Sequence, residues 1–191
     1  MRVLGIDPSL RATGIAAGLY MFDKAEVVVD DLVLLTTERS THRQIRRNSD
    51  DLRCAEELLF DLHDRIDYYK PNLIVAEIPS GAQSARASWT LGITLGLLAT
   101  ISMRNLMLIQ VDARDVKQHF TGSKTASKRA IIDAAVRKYP ALPWLTNRGK
   151  TTNANEHLAD AVAILEYGVT TAEARGYLEL ARLLTDSGAP A

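Results

Sequence analysis

The sequence predicts an α/β protein: a mixed five-stranded sheet, made of a three-strand antiparallel meander plus parallel strands, flanked by helices. Three observations predict it. Apolar runs at residues 3–7, 14–22 and 25–35 follow one another with little between them, and Asp23-Lys24 supplies a tight turn. Residues 72–78 and 106–111 are nearly continuous apolar runs, as expected of strands covered on both faces. Helical segments separate these later strands, and right-handed crossovers set them parallel to the first.

The remaining elements follow from periodicity and punctuation. Residues 36–48 are polar and basic, a loop or an irregular helix start. From Asp50 the period lengthens: Leu52, Ala55, Leu59, Leu62 and Ile66 recur at three- and four-residue steps, the stripe of an amphipathic helix that Pro71 ends. Residues 79–88 read as a loop entering a helix that turns Trp89, Ile93, Leu97 and Ile101 inward. A short helix is expected over 115–120, broken by Thr121-Gly122-Ser123, and another over 127–139, ended by Pro140 and Pro143. Residues 146–155 read as a polar loop, 156–167 as a helix, and 173–184 as a terminal helix.

Composition sets bounds on function. With 47% hydrophobic and 24% charged residues in 191, the chain suits one globular domain with a sizeable core. Asp7 follows the start too closely for a cleavable leader, and the apolar stretch near 91–101 is broken by Gly92, Thr94 and Gly96, so no membrane span is expected. Cys54 is the single cysteine, which excludes an internal disulfide, fits a reducing cytoplasm and reads as inert. Net charge is zero, which weighs against a nucleic-acid partner until the charges are mapped. Acids crowd residues 50–67. Bases crowd 114–150 (Arg114, Lys117, Lys124, Lys128, Arg129, Arg137, Lys138, Arg148, Lys150), and Arg39, Arg43, Arg46 and Arg47 form a further cluster. Local phosphate-binding faces and ordinary solvated helix surfaces explain these clusters equally well.

Chemistry concentrates in the carboxylates. Asp7 ends the first predicted strand, in Gly5-Ile6-Asp7-Pro8-Ser9, and Glu77 ends the fourth, in Leu73-Ile74-Val75-Ala76-Glu77. If those strands are parallel neighbours, both acids emerge at one sheet edge, where open sheets bind ligands. Acids so placed repel unless a cation or proton intervenes, and oxygen ligands suit magnesium or manganese. Asp before Pro-Ser is also a common turn former, so Asp7 alone has a bland explanation. Glu156-His157-Leu158-Ala159-Asp160-Ala161 supplies a third element: His157 and Asp160, three apart, share a helix face, and Glu156 lies four before Asp160. His42, His63 and His119 lack such company and read as surface or packing residues.

Together these segments resemble the RuvC family of Holliday-junction resolvases in the ribonuclease H-like superfamily, in a viral or divergent version. Residues 5–14, Gly5-Ile6-Asp7-Pro8-Ser9-Leu10-Arg11-Ala12-Thr13-Gly14, look like that family's first catalytic strand and hairpin. Val75-Ala76-Glu77 looks like its second acidic position, and Leu91-Gly92-Ile93-Thr94-Leu95-Gly96 like the helix that follows. Val116-Lys117, Thr121-Gly122 and Lys128 resemble its basic segment, and His157-Leu158-Ala159-Asp160-Ala161 its last catalytic helix.

The resemblance implies a ribonuclease H-like domain over residues 1–191, with 170–191 as a C-terminal helix and tail. It implies a homodimeric endonuclease that cuts branched DNA with two magnesium ions per site, manganese serving as a substitute, and no organic cofactor. Asp7, Glu77 and Asp160 would be metal ligands and His157 a ligand or proton-transfer group. Lys117 and Lys128 would contact phosphates or steady developing charge, with Lys124 and Arg129 as further DNA contacts. Gly92 and Gly96 would permit a close dimer contact or packing on the chain's own sheet. The loop after Glu77 departs from better-known members by having no aromatic before Trp89. Gln83 and Arg86 could meet DNA there, though capping or solvent exposure explains them as well, and forks and flaps join four-way junctions as expected substrates. Two rivals remain: an ATP-binding domain of the actin and sugar-kinase kind, which shares the Asp-bearing strand and Gly-rich hairpin, and a catalytically silent DNA-binding scaffold.

Overall fold

The computed structural model describes residues 1–78, 81 and 84–186. Five strands form one sheet in the order β3-β2-β1-β4-β5. β1 (Arg2–Asp7), β2 (Ala12–Met21) and β3 (Glu26–Thr36) are the antiparallel meander. β4 (Leu73–Glu77) lies parallel to β1, and β5 (Met107–Val111) parallel to β4. The mixed sheet expected from the sequence is therefore present.

Alternation along the strands divides the core in two. Val3, Leu73, Val75, Ile109 and Val111 face one way, against α3 (Ala113–Thr121), α4 (Lys128–Lys138) and α5 (Glu156–Gly168). Leu4, Ile6, Ile74 and Ala76 face the other way, against α1 (Arg47–Tyr69) and α2 (Ala85–Ser102). Each fully buried Leu or Ile contributes about 1.5–3 kcal/mol, so the fold rests on two filled layers. α6 (Ala172–Asp186) closes the first layer with Ala174 and Leu178. Among the described residues no helix is long and apolar enough to cross a membrane.

Three expectations need correction. The buried stripe of α1 is Cys54, Leu58, Leu62 and Ile66, whereas Leu52 is 59% exposed. The face is rotated because Asp50 and Asp51 at the head of the helix are drawn inward by arginines. On α2, Thr94, Leu97, Leu98 and Ile101 turn inward, but Trp89 lies outside the core at 47% exposure. Residues 146–155 are more than a loop: β6 (Thr146–Asn147) and β7 (Lys150–Thr151) pair as a small hairpin before a 3-10 turn at Asn153–Asn155.

α5 lies close against the sheet, and two glycines make that possible. A Cβ at Gly14 would run into the His157 carbonyl, and one at Gly5 into the Ala161 carbonyl and the Leu165 side chain. The helix can sit this low only over bare backbone. Its first turn is thereby delivered to the end of β1.

Candidate active site

The parallel register pairs Ile6 with Ala76, so the next residues, Asp7 and Glu77, leave the sheet side by side. The first turn of α5 comes down on the same edge, where His157 Nδ1 lies 2.6 Å from Asp7 Oδ2. Asp160, one turn on, faces the same space. Asp7, Glu77, His157 and Asp160 are thus brought together from three separate elements.

Their electrostatics differ from those of ordinary surface acids. Burial first, then the charges of Asp7 and Asp160, push Glu77 up to about 7, with Lys117 pulling the other way. Burial, Asp7 and Glu156 push Asp160 up to about 7 as well, opposed by Lys117 and His157. The hydrogen bond to Asp7 raises the proton affinity of His157 despite the cost of burying its charge. These acids raise one another because too little positive charge faces them.

Among the described residues no three His, Cys, Asp or Glu side chains close into a ready-made coordination cluster. The donors nevertheless fit a hard divalent cation in kind: carboxylate oxygens that destabilise one another by charge are what such an ion would relieve. His157 Nδ1 is engaged by Asp7, an arrangement that suits Nε2 equally to ligation or to proton transfer.

The basic residues separate into two groups. Lys117 on α3 bears on both Glu77 and Asp160. With Arg114 and Lys124 it lines a groove of about 670 Å³ that also includes Asp112 and Asp115. Lys128 forms an ion pair with Glu156 and is influenced by Asp160 and Asp7. Arg129, by contrast, pairs with Asp133 at 2.8 Å and reaches Thr151. Arg86 binds Asp51, so its charge is already engaged, and Gln83 lies outside the described residues.

The sequence reading missed a brace beside the site. Asp51 is fully buried, and both Arg11 (3.0 Å) and Arg86 (2.5 Å) bind its Oδ1. Arg11 follows Asp7 in the β1–β2 connection and Arg86 lies in the first turn of the helix after Glu77, so one carboxylate ties together the segments that leave β1 and β4. Arg11 also donates to Cys54 Sγ, and Arg53 reaches Asp50 at 2.8 Å. A signal was present: stepping the stripe 54, 58, 62 and 66 back one turn lands on Asp50 and Asp51.

No protein-family profile and no curated protein sequence matches the chain. Solved structures do. RuvC of Thermus thermophilus, in complex with Holliday junction substrate, superposes with a TM-score of 0.63 at 19% identity, over 93% of this chain and 97% of that one. The yeast mitochondrial Holliday junction resolvase Ydc2 gives 0.58 at 14% identity, over 97% and 83% of the two chains. The fowlpox virus Holliday junction resolvase gives 0.52 at 11% identity, over 86% and 94%. At such identities the likeness establishes the fold, which is the ribonuclease H-like fold that RuvC has.

Proposed function

We propose that this chain is a metal-dependent endonuclease that cuts phosphodiester bonds in branched DNA, four-way junctions foremost and forks and flaps among its substrates. One observation carries the reading: three carboxylates from β1, β4 and α5 meet at the carboxyl edge of the sheet with too little positive charge to balance them. The shared fold, in structures whose names specify Holliday junctions, supports the choice of substrate.

Asp7, Glu77 and Asp160 would hold two magnesium ions, with manganese as a substitute. Such ions ease ionisation of an attacking water and neutralise the leaving oxygen. The protein's own part is to keep the acids apart from bulk water and fixed on rigid strands and a helix, so that ligation relieves a repulsion already present. His157, held at Nδ1 by Asp7, keeps Nε2 as its second ring nitrogen for the reaction. Its raised proton affinity suits a group that hands a proton to the departing oxygen. Lys117 moderates the negative charge on Glu77 and Asp160 and faces the groove by which a phosphate backbone could approach. Lys128, tethered by Glu156 at the rim, is placed to meet the same backbone.

A second copy of the chain completes the reading. Gly92 and Gly96 on α2 have nothing within 4 Å of where a Cβ would stand, so they do not serve packing on the chain's own sheet. Exposed Trp89 and Leu95 lie beside them, which favours α2 as the homodimer contact. The test is cleavage of end-labelled four-way, three-way and linear duplex DNA with magnesium or with chelator. Magnesium-dependent cutting of branched DNA over linear duplex is expected; ATP binding without cleavage, or DNA binding without cleavage, would replace the reading with one of its rivals.

A further inference from the structure

The β6–β7 hairpin is too short to be stable alone, since two residues per strand bury almost nothing. Its base is riveted instead. Asn155 is fully buried; its Oδ1 accepts from Leu145 N at 2.8 Å, and its Nδ2 donates to the carbonyls of Leu145 (2.8 Å) and Thr152 (3.0 Å). Arg129 adds contacts to Thr151, and Trp144 Nε1 donates to Tyr139 O at 2.7 Å. Asn155 directly precedes Glu156 and His157, so the rivet fixes the hairpin to the catalytic end of α5.

The tip carries charge at a backbone cost. Arg148 (φ 49°) and Gly149 (φ 75°) form a two-residue turn with both φ positive, the type I′ geometry that matches hairpin twist. Glycine, asparagine or aspartate normally fills the first of these positions, and arginine there is strained. No acid occurs between Asp133 and Glu156 in the sequence, and among the described residues neither Arg148 nor Lys150 has an acidic partner. Both are exposed.

We propose that this hairpin is a strand guide, laying Arg148 and Lys150 against the phosphodiester backbone of a DNA arm that flanks the scissile bond. The inference rests on the nuclease reading and adds to it a contact that sets the substrate's position relative to His157. A rigid base beside the first turn of α5 and a cationic tip are what positioning needs, whereas a merely solvated turn needs neither strain nor rivet.

The discriminating variant is Arg148→Gly with Lys150→Ala, because glycine is the better residue for this backbone. Thermal stability should hold or rise. Binding of a four-way junction in chelator, measured across salt, should weaken about tenfold near 0.1 M salt, and the slope of log affinity against log salt should flatten by about 0.9 for each lost phosphate contact. An unchanged affinity and slope in the variant, with the unaltered protein binding and cutting DNA, overturns the strand guide alone. Failure of the unaltered protein to bind or cut branched DNA overturns both readings. A lower melting temperature with an unchanged salt slope would reduce the hairpin to a structural turn.

Discussion

Two groups of acids stand near one another in this molecule and behave in opposite ways. Asp51 is completely buried, yet its pKa is lowered, because the guanidiniums of Arg86 and Arg11 outweigh the cost of burial. Glu77 and Asp160 are less buried but are pushed up to about 7, first by that burial and then by the neighbouring carboxylates, against which only Lys117, and His157 beside Asp160, pull down. Burial alone therefore does not mark a functional acid; the lack of internal compensation does. The Asp51 group supports architecture, and the Asp7 group keeps an unmet demand for positive charge that a ligand can satisfy.

The sharpest way to break the contrast is to remove one charge from each group. Asp7→Asn should cost about a thousandfold in junction cleavage while leaving the melting temperature unchanged or raised, since it also relieves repulsion. Retained cleavage would remove Asp7 from the site. Asp51→Ala should do the reverse at first, destabilising the chain by about 2 kcal/mol in urea unfolding, because two charged hydrogen-bond donors lose their acceptor. An unchanged urea midpoint would show that the brace holds nothing.

The two groups should also separate by pH. Without divalent ions the folded chain binds protons at Glu77 and Asp160 near pH 7 that the unfolded chain has already released. Stability should then fall as pH rises from about 5 to about 8. His157 acts in the same direction: its stabilising contribution is complete below the ordinary imidazole value and is lost as pH passes its raised folded value. Asp51 runs the other way, giving stability above the ordinary aspartate range that disappears as pH drops below about 4. Melting curves across that span should peak in mild acid, and a flat profile would contradict the contrast. The smallest effect expected is from Lys117→Ala, which should slow cleavage roughly tenfold by loss of a phosphate contact and move Glu77 further up. A normal rate at every salt concentration would count against it.

What the sequence made legible was local. Apolar runs ending in Asp7 and Glu77 announced both strands and the acids at their ends, and the His157/Asp160 spacing needed only a helix to share a face. What it concealed depends on distant partners. Leu52 and Leu58 look alike on a helical wheel, and the choice between them is made by Arg11, forty residues from Asp51 in the chain, which draws the head of α1 inward. Trp89 reads as core until the free side of α2 is seen. The β6–β7 hairpin hid because its strands are two residues long and polar, and its stability comes from buried Asn155.

Calorimetric titration of magnesium into the chain at pH 7, in two buffers of different ionisation enthalpy, addresses the carboxylate site most directly. Binding should be accompanied by proton release, because an arriving cation must displace protons from Glu77 and Asp160, and both binding and release should collapse in Asp7→Asn. Heats that show no binding, or binding that Asp7→Asn leaves intact, would mean that these acids converge for some other purpose.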